Sequence, residues 1–330
     1  MADAPFDVVG VGNAIVDVIV QTDENHLNGL GLNKGTMTLI DDAKAEWLYK
    51  EIGAGVETSG GSAANTLAGI SSLGGCGAYI GKVRNDQLGD IFISDIMGAG
   101  VNFPMRAATD GPSTARCLIF VTPDAERTMQ TYLGASISLG PEDIDPEAIG
   151  SAQITYLEGY LFDRDEAQEA FVKAAELAHA AGRQVALTLS DSFCVDRHRA
   201  SFRRLVEGHV DIVFANQDEI TSLYQTVSFD EAVGRLVGKV DIAAITRGAK
   251  GSVIVTPDEV LEVAAEPVEK VLDTTGAGDL YAAGVLYGLT HGYELEKAAW
   301  LGSICAAEVI SHYGARPEVS LKELAKEKMG

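Results

Sequence analysis

The sequence predicts an α/β fold in which helices cover both faces of a mostly parallel sheet. From residue 154 onward, short strand-like runs alternate with segments of helical periodicity. Strands are predicted at Ile154–Leu157, Gln184–Leu189, Ile212–Ala215 and Ile242–Thr246, and helices at Glu166–Ala181, around Phe202–Val206 and at Glu231–Val237. Earlier in the chain, Asp7–Gly12 has the composition of a buried central strand. In such sheets, ligands bind beyond the carboxyl ends of the strands.

The N-terminal part of the chain is richer in strands than in helices. Strands are predicted at Ile15–Thr22, Thr36–Ile40, Cys76–Gly81, Ala115–Val121 and Arg127–Leu133, and helices at Ala43–Ile52 and Ile91–Met97. The last two strands flank a hairpin-like turn at Thr122–Glu126. Gly10 and Gly12 suggest a dinucleotide-binding motif. The third glycine of that motif is replaced by Ile15, and another strand follows instead of a helix. The sequence therefore does not contain a dinucleotide-binding motif here.

The composition excludes several kinds of partner. The 330 residues are enough for one large α/β domain or two small ones, and the net charge is −23. A surface this acidic repels nucleic acids and anionic membranes, although a local positive pocket can still bind a nucleotide. We therefore expect neither a nucleic acid nor a membrane as a partner.

Cysteine usage and the N-terminal residues predict a cytoplasmic protein. The four cysteines are scattered, form no Cys-x-x-Cys pair and are expected to be buried, reduced thiols: Cys76, Cys117, Cys194 and Cys305. The first basic residue is Lys34, which argues against a signal peptide, and no apolar run is long enough to span a bilayer.

Polar residues follow the first predicted strand. Asn13 and Asp17 are separated by apolar residues at this strand end. There they can hydrogen-bond a polar ligand, and they can equally serve as ordinary turn residues.

A glycine pair precedes the predicted helix that begins near Ser62. Gly60 and Gly61 predict a flexible joint, with Ser62 as the N-cap of an apolar helix and Asn65 in its first turn. This helix start offers a second site for a ligand, and the alternative is a capped core helix with a glycine turn.

Two further strand ends carry polar motifs. Asn216 and Glu219 are three residues apart, so they share a face at the start of a helix and can hold hydrated Mg²⁺ through its waters. They can also form a capping box. The segment Thr246–Ser252 follows the next strand and suits a nucleotide phosphate, or it is an ordinary hairpin turn.

The segment Leu272–Tyr281 carries the strongest chemical signal. A strand-like stretch at Val268–Leu272 precedes Gly276–Gly278, and a helical pattern follows. A helix start with small residues is suited to an anion, because its first N–H groups lack internal partners. Asp279 at this place makes sense as a base that takes a proton from an attacking hydroxyl. The alternative is a glycine turn with an aspartate that suits the helix dipole.

Three common catalytic motifs are absent from the sequence. It contains no Gly-x4-Gly-Lys-Ser/Thr, no Gly-x-Ser-x-Gly and no His-Glu-x-x-His, and the six histidines are dispersed. A P-loop nucleoside triphosphatase is therefore excluded, and neither a hydrolase triad nor a zinc ion held by the protein is expected.

Four motifs, spread over nearly the whole chain and occurring in the order typical of the family, resemble the ribokinase-like carbohydrate and nucleoside kinases, also called the PfkB family. Gly12, Asn13 and Asp17 resemble the substrate-binding strand end, and Asn216 with Glu219 resembles the magnesium motif. Asp273–Asp279 resembles the C-terminal signature. A set of mostly glycine and polar residues in the first third of the chain resembles the N-terminal signature: Gly60, Gly61, Asn65, Leu73, Gly74, Gly81, Asp86 and Gly89.

The resemblance implies an ATP-dependent kinase that phosphorylates an alcohol, with ATP and Mg²⁺ as cofactors. Asp279 would be the general base, and Gly276, Ala277 and Gly278 would form the anion hole for the transferred phosphate. The other implied sites are the substrate site (Asn13, Asp17, Gly61 and Asn65), the ATP site (Asn216, Thr246, Gly248, Thr274 and Gly278) and the magnesium site, occupied through water (Glu219 and Asn216).

The resemblance also implies a three-layer α/β/α sandwich, formed by a single domain over residues 1–330. A discontinuous β lid from about residues 15–40 and 105–133 would close on Gly60 and Gly61 and expel water. Arg127 lies in the lid region and would reach the phosphates.

The strand end Gly12–Asp17 and the stretch Leu187–Phe193 are more similar to the adenosine-kinase branch of the family. The expected small-molecule partner is therefore a nucleoside, adenosine phosphorylated at its 5′-hydroxyl in purine salvage. A sugar kinase for ribose, fructose or 2-keto-3-deoxygluconate is the alternative. A nucleotide-binding regulator is disfavoured, since a pure binder gains nothing from a carboxylate beside a phosphate. Family members are monomers or homodimers, and either state is open here.

Overall fold

Two β-sheets organise the residues that the computed structural model describes, which are 4–53, 55–124 and 126–330. The strands are β1 (Phe6–Val11), β2 (Ile15–Gln21), β3 (Met37–Leu39), β4 (Val56–Gly60), β5 (Gly77–Ile80), β6 (Val101–Asn102), β7 (Ala115–Val121), β8 (Arg127–Tyr132), β9 (Ala152–Glu158), β10 (Gln184–Thr188), β11 (Ile212–Asn216), β12 (Ile242–Thr246), β13 (Ser252–Val255) and β14 (Val260–Val263). The α-helices are α1 (Glu24–Gly29), α2 (Asp42–Glu51), α3 (Ser62–Leu73), α4 (Gln87–Gly98), α5 (Pro146–Gly150), α6 (Asp165–Ala180), α7 (Ser192–His209), α8 (Gln217–Tyr224), α9 (Phe229–Leu236), α10 (Ala277–Thr290), α11 (Leu295–Val309) and α12 (Leu321–Met329).

The larger sheet has nine strands in the order β14-β13-β12-β11-β10-β9-β1-β5-β6. Its pairs are parallel from β12 to β6, and β13 and β14 are added antiparallel at one edge. Successive side chains point to opposite faces, so Val8 joins the core beneath α3, α10 and α11, and Val9 joins the core beneath α5 to α9. Burial on both faces explains why these strands are almost entirely apolar. The predicted three-layer α/β fold is confirmed.

The smaller sheet has five strands in the order β3-β8-β7-β2-β4. Strand β2 is parallel to β7 and antiparallel to β4, and β7 and β8 form an antiparallel hairpin. On β2, Val16 and Val18 are buried in the core with Leu48 of α2, whereas Ile15 and Asp17 line a cavity. The smaller sheet therefore has one structural face and one face that is available to a ligand.

Strand β4 was not predicted, and one predicted strand is wrong, each for an identifiable reason. Strand β4 pairs with β2 over Ile15–Ile19, but its residues Glu57–Gly60 are polar or small, so no apolar alternation signals it. The strand predicted at Val268–Leu272 is wrong, because this segment pairs with no strand among the described residues and runs beside the end of α11. There the Leu272 N–H donates to the Ile310 carbonyl at 2.9 Å.

Other predictions differ in detail. The helix predicted around Phe202–Val206 is part of α7, which is interrupted by non-helical dihedral angles at His198 (φ −122°, ψ 22°). All four cysteines are free, but Cys76 is exposed, which contradicts the prediction that all are buried. In the turn predicted at Thr122–Glu126, position 125 lies outside the described residues. None of the helices in the described ranges is long and apolar enough to cross a membrane.

Candidate active site

A cavity of about 910 Å³ lies between the carboxyl ends of the central strands and the free face of the smaller sheet. Nearly all of the residues implied for the site line this one cavity: Asn13, Asp17, Gly61, Asn65, Asn216, Glu219, Thr246, Thr274, Gly276, Ala277, Gly278 and Asp279. Gly248 does not line it and lies on the exposed turn after β12. Residues from distant parts of the sequence meet here because parallel strands bring their carboxyl ends to one edge.

The floor of the cavity includes the N-terminus of α10. Gly276 is the N-cap, with φ +79°, and a Cβ there would lie 2.8 Å from the Ala315 Cα. A Cβ at Gly278 would meet nothing within 4 Å, so the space beside its backbone is open. The free N–H groups and the dipole of this helix make the open space suitable for an anion.

Asp279 lies in the first turn of α10, beside that anion site. Its Oδ1 accepts a hydrogen bond from the Ser62 hydroxyl at 2.6 Å, and its Oδ2 accepts one from Asn65 Nδ2 at 3.0 Å. Burial raises the pKa of Asp279, while these two hydrogen bonds and the charge of Arg316 act in the opposite direction. The carboxyl group is thus desolvated and held in one orientation, as proton transfer to or from a ligand requires.

The N-cap of α3 is Gly61, so the prediction that Ser62 caps this helix is wrong. Gly61 has φ +100°, and a Cβ there would lie 2.3 Å from the Asn13 carbonyl oxygen. Only glycine fits this position, because it tolerates positive φ and lets two backbone segments approach closely. Ser62 therefore falls inside the first turn, where its hydroxyl is free to donate to Asp279.

A buried carboxyl group that the sequence analysis missed lies behind Asn13. Glu158 ends β9, and its two oxygens accept hydrogen bonds from Asn13 Nδ2 and the Ala63 N–H, each at 2.9 Å. Burial raises the pKa of Glu158 to about 7, although both hydrogen bonds lower it. Glu158 joins the end of β1 to the start of α3. The available signal was one acidic residue at the end of the apolar run that forms β9.

Asp17 projects from the smaller sheet into the cavity. It is paired in register with Cys117 of β7 and Thr58 of β4. Burial raises the pKa of Asp17 to about 6, whereas the charges of Arg316 and Arg127 lower it. Asp17 is therefore a carboxyl group in the cavity that the N-terminus of α10 also lines.

Arg127 joins the smaller sheet to the loop before α10. Its Nη1 lies 2.9 Å from Asp273 Oδ2 and donates to Thr275 Oγ1 at 3.0 Å. Burial tends to raise the pKa of Asp273, but hydrogen bonds from Gly314 and Thr275 and the charge of Arg127 hold it below its usual value. This arginine therefore brings a positive charge to the edge of the anion site.

A second arginine, Arg316, contacts residues of the site from outside the cavity, and nothing in the sequence analysis pointed to it. It follows α11 and donates from Nε to Asn65 Oδ1 at 2.9 Å. Its Nη2 donates to the carbonyl and hydroxyl oxygens of Ser59, at 2.6 and 3.0 Å. Arg316 thus contacts both a predicted substrate-binding residue and the end of β4, just before the glycine pair.

Asn216 and Glu219 form the capping box that the sequence analysis left as an alternative. The Asn216 side chain accepts from the Glu219 N–H at 2.8 Å, and Glu219 accepts from the Asn216 N–H at 2.9 Å. Burial raises the pKa of Glu219 to about 7. Glu219 also lines the cavity, with Thr246 on the neighbouring strand. Glu219 therefore both caps the N-terminus of α8 and lines the cavity.

A helix start suited to an anion, a carboxyl group beside it and an opposite pocket lined by polar side chains are the features expected of a phosphotransferase site. The comparisons with known proteins agree. A family model described as "pfkB family carbohydrate kinase" matches residues 37–321. The chain belongs to this family of kinases, which act on sugar or nucleoside hydroxyl groups with ATP.

Similar proteins with known structures include both nucleoside and sugar kinases. The chain is 50% identical to an adenosine kinase from Sinorhizobium meliloti, with a TM-score of 0.90 and coverage of 98% of this chain and 100% of that one. It is 49% identical to a probable sugar kinase from Rhizobium etli CFN 42, with a TM-score of 0.90 and 99% coverage of both chains. A 5-dehydro-2-deoxygluconokinase from Shouchella clausii (strain KSM-K16) is 27% identical, over 98% of this chain and 96% of that protein.

Proposed function

We propose that the protein transfers the γ-phosphate of ATP to the 5′-hydroxyl of adenosine, which would be a purine-salvage reaction in the cytoplasm. The observation that carries this proposal is a polar floor and an apolar wall within one cavity. A ribose needs hydroxyl-binding groups, whereas a purine base needs a flat apolar surface. A free sugar would fill only the polar part.

The apolar wall belongs to the smaller sheet. It is formed by Ile15 of β2, Met37 and Leu39 of β3, Ile119 of β7, Met129 of β8 and the following Leu133. Met37 and Leu39 are each 54% exposed, and the aromatic residue Phe193 at the same cavity is 73% exposed. Large apolar side chains exposed at a cavity indicate a surface that a ligand covers.

The polar floor would bind the ribose. Asp17 accepts hydrogen bonds from ribose hydroxyl groups, and Asn13 and Asn65 present further polar groups around Gly61. Asp17 lines the cavity, and burial raises the pKa of its carboxyl group to about 6. Two neighbouring hydroxyl groups of a ribose would donate hydrogen bonds to this carboxylate.

Asp279 is the proposed general base. It takes the proton from the acceptor hydroxyl as the oxygen attacks the γ-phosphorus, the bond to the β-phosphate oxygen breaks, and ADP leaves. Gly276, Ala277 and Gly278 present N–H groups to the transferred phosphate at the start of α10. The position of Asp279 beside this helix start supports the assignment.

The nucleotide would lie along the strand ends of β11 and β12. Asn216, Thr246 and Thr274 line this part of the cavity, and Gly248 would contact the nucleotide from the exposed turn. Among the described residues, no group of three or more His, Cys, Asp or Glu side chains is arranged to hold a metal directly. Glu219 and Asn216, with their oxygen atoms at the cavity, fit a Mg²⁺ ion held through water, which would neutralise phosphate charge.

The smaller sheet would act as the lid. It provides the apolar wall, and β4 leads directly into Gly60 and Gly61, where a change in backbone direction is least costly. Closure would bring Arg127 toward the phosphates and exclude water from the reaction. The ion pair between Arg127 and Asp273 shows that this sheet already reaches the loop before α10.

A sugar kinase is the second candidate. The similarity to a probable sugar kinase is as high as that to an adenosine kinase, and the 5-dehydro-2-deoxygluconokinase matches nearly the whole chain. The polar floor alone would serve such a substrate, and the roles proposed for Asp279 and Glu219 would be unchanged.

A substrate panel read by ATP consumption tests the proposal. We expect kcat/KM for adenosine to exceed that for free ribose, fructose, 2-keto-3-deoxygluconate and 5-dehydro-2-deoxygluconate, because only the nucleoside covers the apolar wall. Reactions without an acceptor provide the control for ATP hydrolysis. Faster use of any free sugar than of every nucleoside would establish the sugar-kinase candidate instead.

Glu219→Gln separates magnesium binding from helix capping. If Glu219 orders Mg²⁺, this variant needs roughly ten- to a hundred-fold more Mg²⁺ for half-maximal rate. The matched control is Glu231→Gln, at the equivalent N3 position of α9. Glu231 is exposed, and its N–H donates to the hydroxyl of the N-cap residue Ser228. An unchanged Mg²⁺ dependence, with a lower melting temperature, would leave Glu219 with its capping role alone.

A further inference from the structure

We propose that Arg316, which does not line the active-site cavity, is a positioning residue that fixes the orientation of the catalytic carboxylate through the side-chain amide of Asn65. This inference rests on the proposed role of Asp279 as the base and adds a residue outside the substrate, nucleotide and metal sites. The contacts form a continuous chain, from Arg316 Nε to Asn65 Oδ1 at 2.9 Å and from Asn65 Nδ2 to Asp279 Oδ2 at 3.0 Å.

The chemistry of the three side chains allows only one arrangement of the amide. A guanidinium group carries donors only, and an ionised carboxylate carries acceptors only. Asn65 lies between them, so its oxygen must face Arg316 and its NH₂ group must face Asp279. A flipped amide would place two donors together on one side and two acceptors on the other. Arg316 therefore selects the orientation in which Asn65 donates to the carboxylate.

This arrangement distinguishes the two oxygens of Asp279. Oδ2 is held by Asn65, whose amide is fixed in turn by Arg316. Oδ1 accepts from the hydroxyl of Ser62, which can rotate about its C–O bond when a ligand arrives. Oδ1 is thus the atom that receives the proton of the acceptor hydroxyl. The O–H bond of the acceptor breaks, a new one forms at Oδ1, and the acceptor oxygen is left to attack the phosphorus.

Arg316 is itself held in place from the other side. Its Nη2 donates to the Ser59 carbonyl oxygen at 2.6 Å and to the Ser59 hydroxyl oxygen at 3.0 Å. Asp95 of α4 accepts from the Ser59 N–H at 2.8 Å and from its hydroxyl at 2.5 Å. The guanidinium group is therefore braced between the end of β4 and α3, and it is pre-organised before any substrate binds.

The charges around the base make this role measurable. The titratable or charged groups that interact with Asp279 are Asp17 of β2, Tyr156 and Glu158 of β9, Tyr160 after β9 and Arg316. Arg316 is the cation of this set, and it also interacts with Asp95 and Tyr79. Its positive charge lowers the pKa values of both Asp279 and Asp17. Its removal will therefore raise both pKa values, while the acidic and phenolic neighbours stay the same.

The test compares Arg316→Gln and Arg316→Lys with Arg235→Gln, which removes the same charge from an exposed ion pair on α9. We expect Arg316→Gln to lower kcat at least about tenfold. Because the base works only when ionised, the acidic limb of kcat/KM should move about one pH unit toward higher pH. Arg316→Lys keeps the positive charge, so the acidic limb of kcat/KM should return to its position in the unmodified protein. Only part of the lost kcat should return, because lysine cannot reproduce the contacts of the guanidinium group. Arg235→Gln should match the unmodified protein.

A second readout does not depend on turnover. Carbon-13 NMR of protein labelled at the aspartate carboxyl carbons, with Asp279→Asn to assign the signal, measures the titration of Asp279 directly. We expect it to titrate at higher pH in Arg316→Gln than in Arg235→Gln. Unchanged titration and an unchanged acidic limb would overturn the inference, even if Arg316→Gln melts at a lower temperature. Failure of the proposed function would appear differently, as unimpaired turnover by Asp279→Asn.

Discussion

The variant Asp279→Asn is expected to lose roughly a hundred- to ten-thousand-fold in kcat, the usual size of a general-base contribution. Asparagine has nearly the same shape, so the fold and ATP binding should survive. The loss should appear in kcat for whichever acceptor is used, with little change in KM for ATP. Steady-state kinetics at saturating ATP, together with calorimetric measurement of ATP binding, provides the measurement.

The control for this variant is Asp165→Asn. Asp165 also lies in the first turn of a helix, α6, where it is exposed and does not line the cavity. Its replacement removes a favourable interaction with a helix dipole and nothing else, so its effect should be confined to stability. If Asp279→Asn retained most of its kcat, Asp279 would be reduced to the same dipole role.

The second large effect concerns the hydroxyl groups of the substrate. We expect the protein to prefer adenosine over 2′-deoxyadenosine by up to roughly 10⁴-fold in kcat/KM, because a site built for a hydroxyl leaves its own buried groups unpaired without it. Asp17→Ala should damage use of the ribose substrate far more than ATP binding. The measurement is kcat/KM for both nucleosides with the unmodified protein and the variant.

The ratio between the two nucleosides identifies the contact. If Asp17 accepts hydrogen bonds from the ribose, Asp17→Ala should slow adenosine much more than 2′-deoxyadenosine, and the preference should shrink. Thr58→Ala is a change at the residue of β4 that pairs in register with Asp17 but does not line this cavity, and it should leave the preference intact. An equal loss for both nucleosides in Asp17→Ala would show that Asp17 does not contact the hydroxyl groups.

Several of the residues that line the cavity could be predicted from the sequence because they follow from local rules. Strand ends in a parallel sheet converge, so Asn13, Asn216 and Thr246 could be placed together without knowing their contacts. A helix start with glycines could be assigned as an anion site on the same basis. The family resemblance then added roles to these positions, and the family is confirmed.

The partners behind those residues could not be predicted, since they depend on tertiary contacts between distant positions. Ser62 and Asp279 are separated by 217 positions, and Asn65 and Arg316 by 251. Arg316 lies in no local pattern that sets it apart from a surface residue, and the pattern around Ser62 predicted only a helix cap. The error at Gly61 has a similar origin, because the close approach of the Asn13 carbonyl oxygen decides which residue caps α3.

The cluster of buried acids has a consequence for the stability of the ligand-free protein. Asp17, with a pKa of about 6, and Glu158 and Glu219, with pKa values of about 7, hold protons that the unfolded chain releases near pH 4. Between these values the folded state binds more protons than the unfolded state, so the contribution of these groups to the free energy of unfolding falls as pH rises.

At neutral pH the site therefore weakens the fold that contains it. Three carboxyl groups are kept in poorly solvated positions where neutral side chains would be more stable, which is the usual trade-off between stability and activity. A ligand that donates hydrogen bonds to these groups, or a cation that pairs with them, removes this strain and binds only the folded state. Occupancy of the site and resistance to unfolding are thus coupled, most strongly on the alkaline side of the titration.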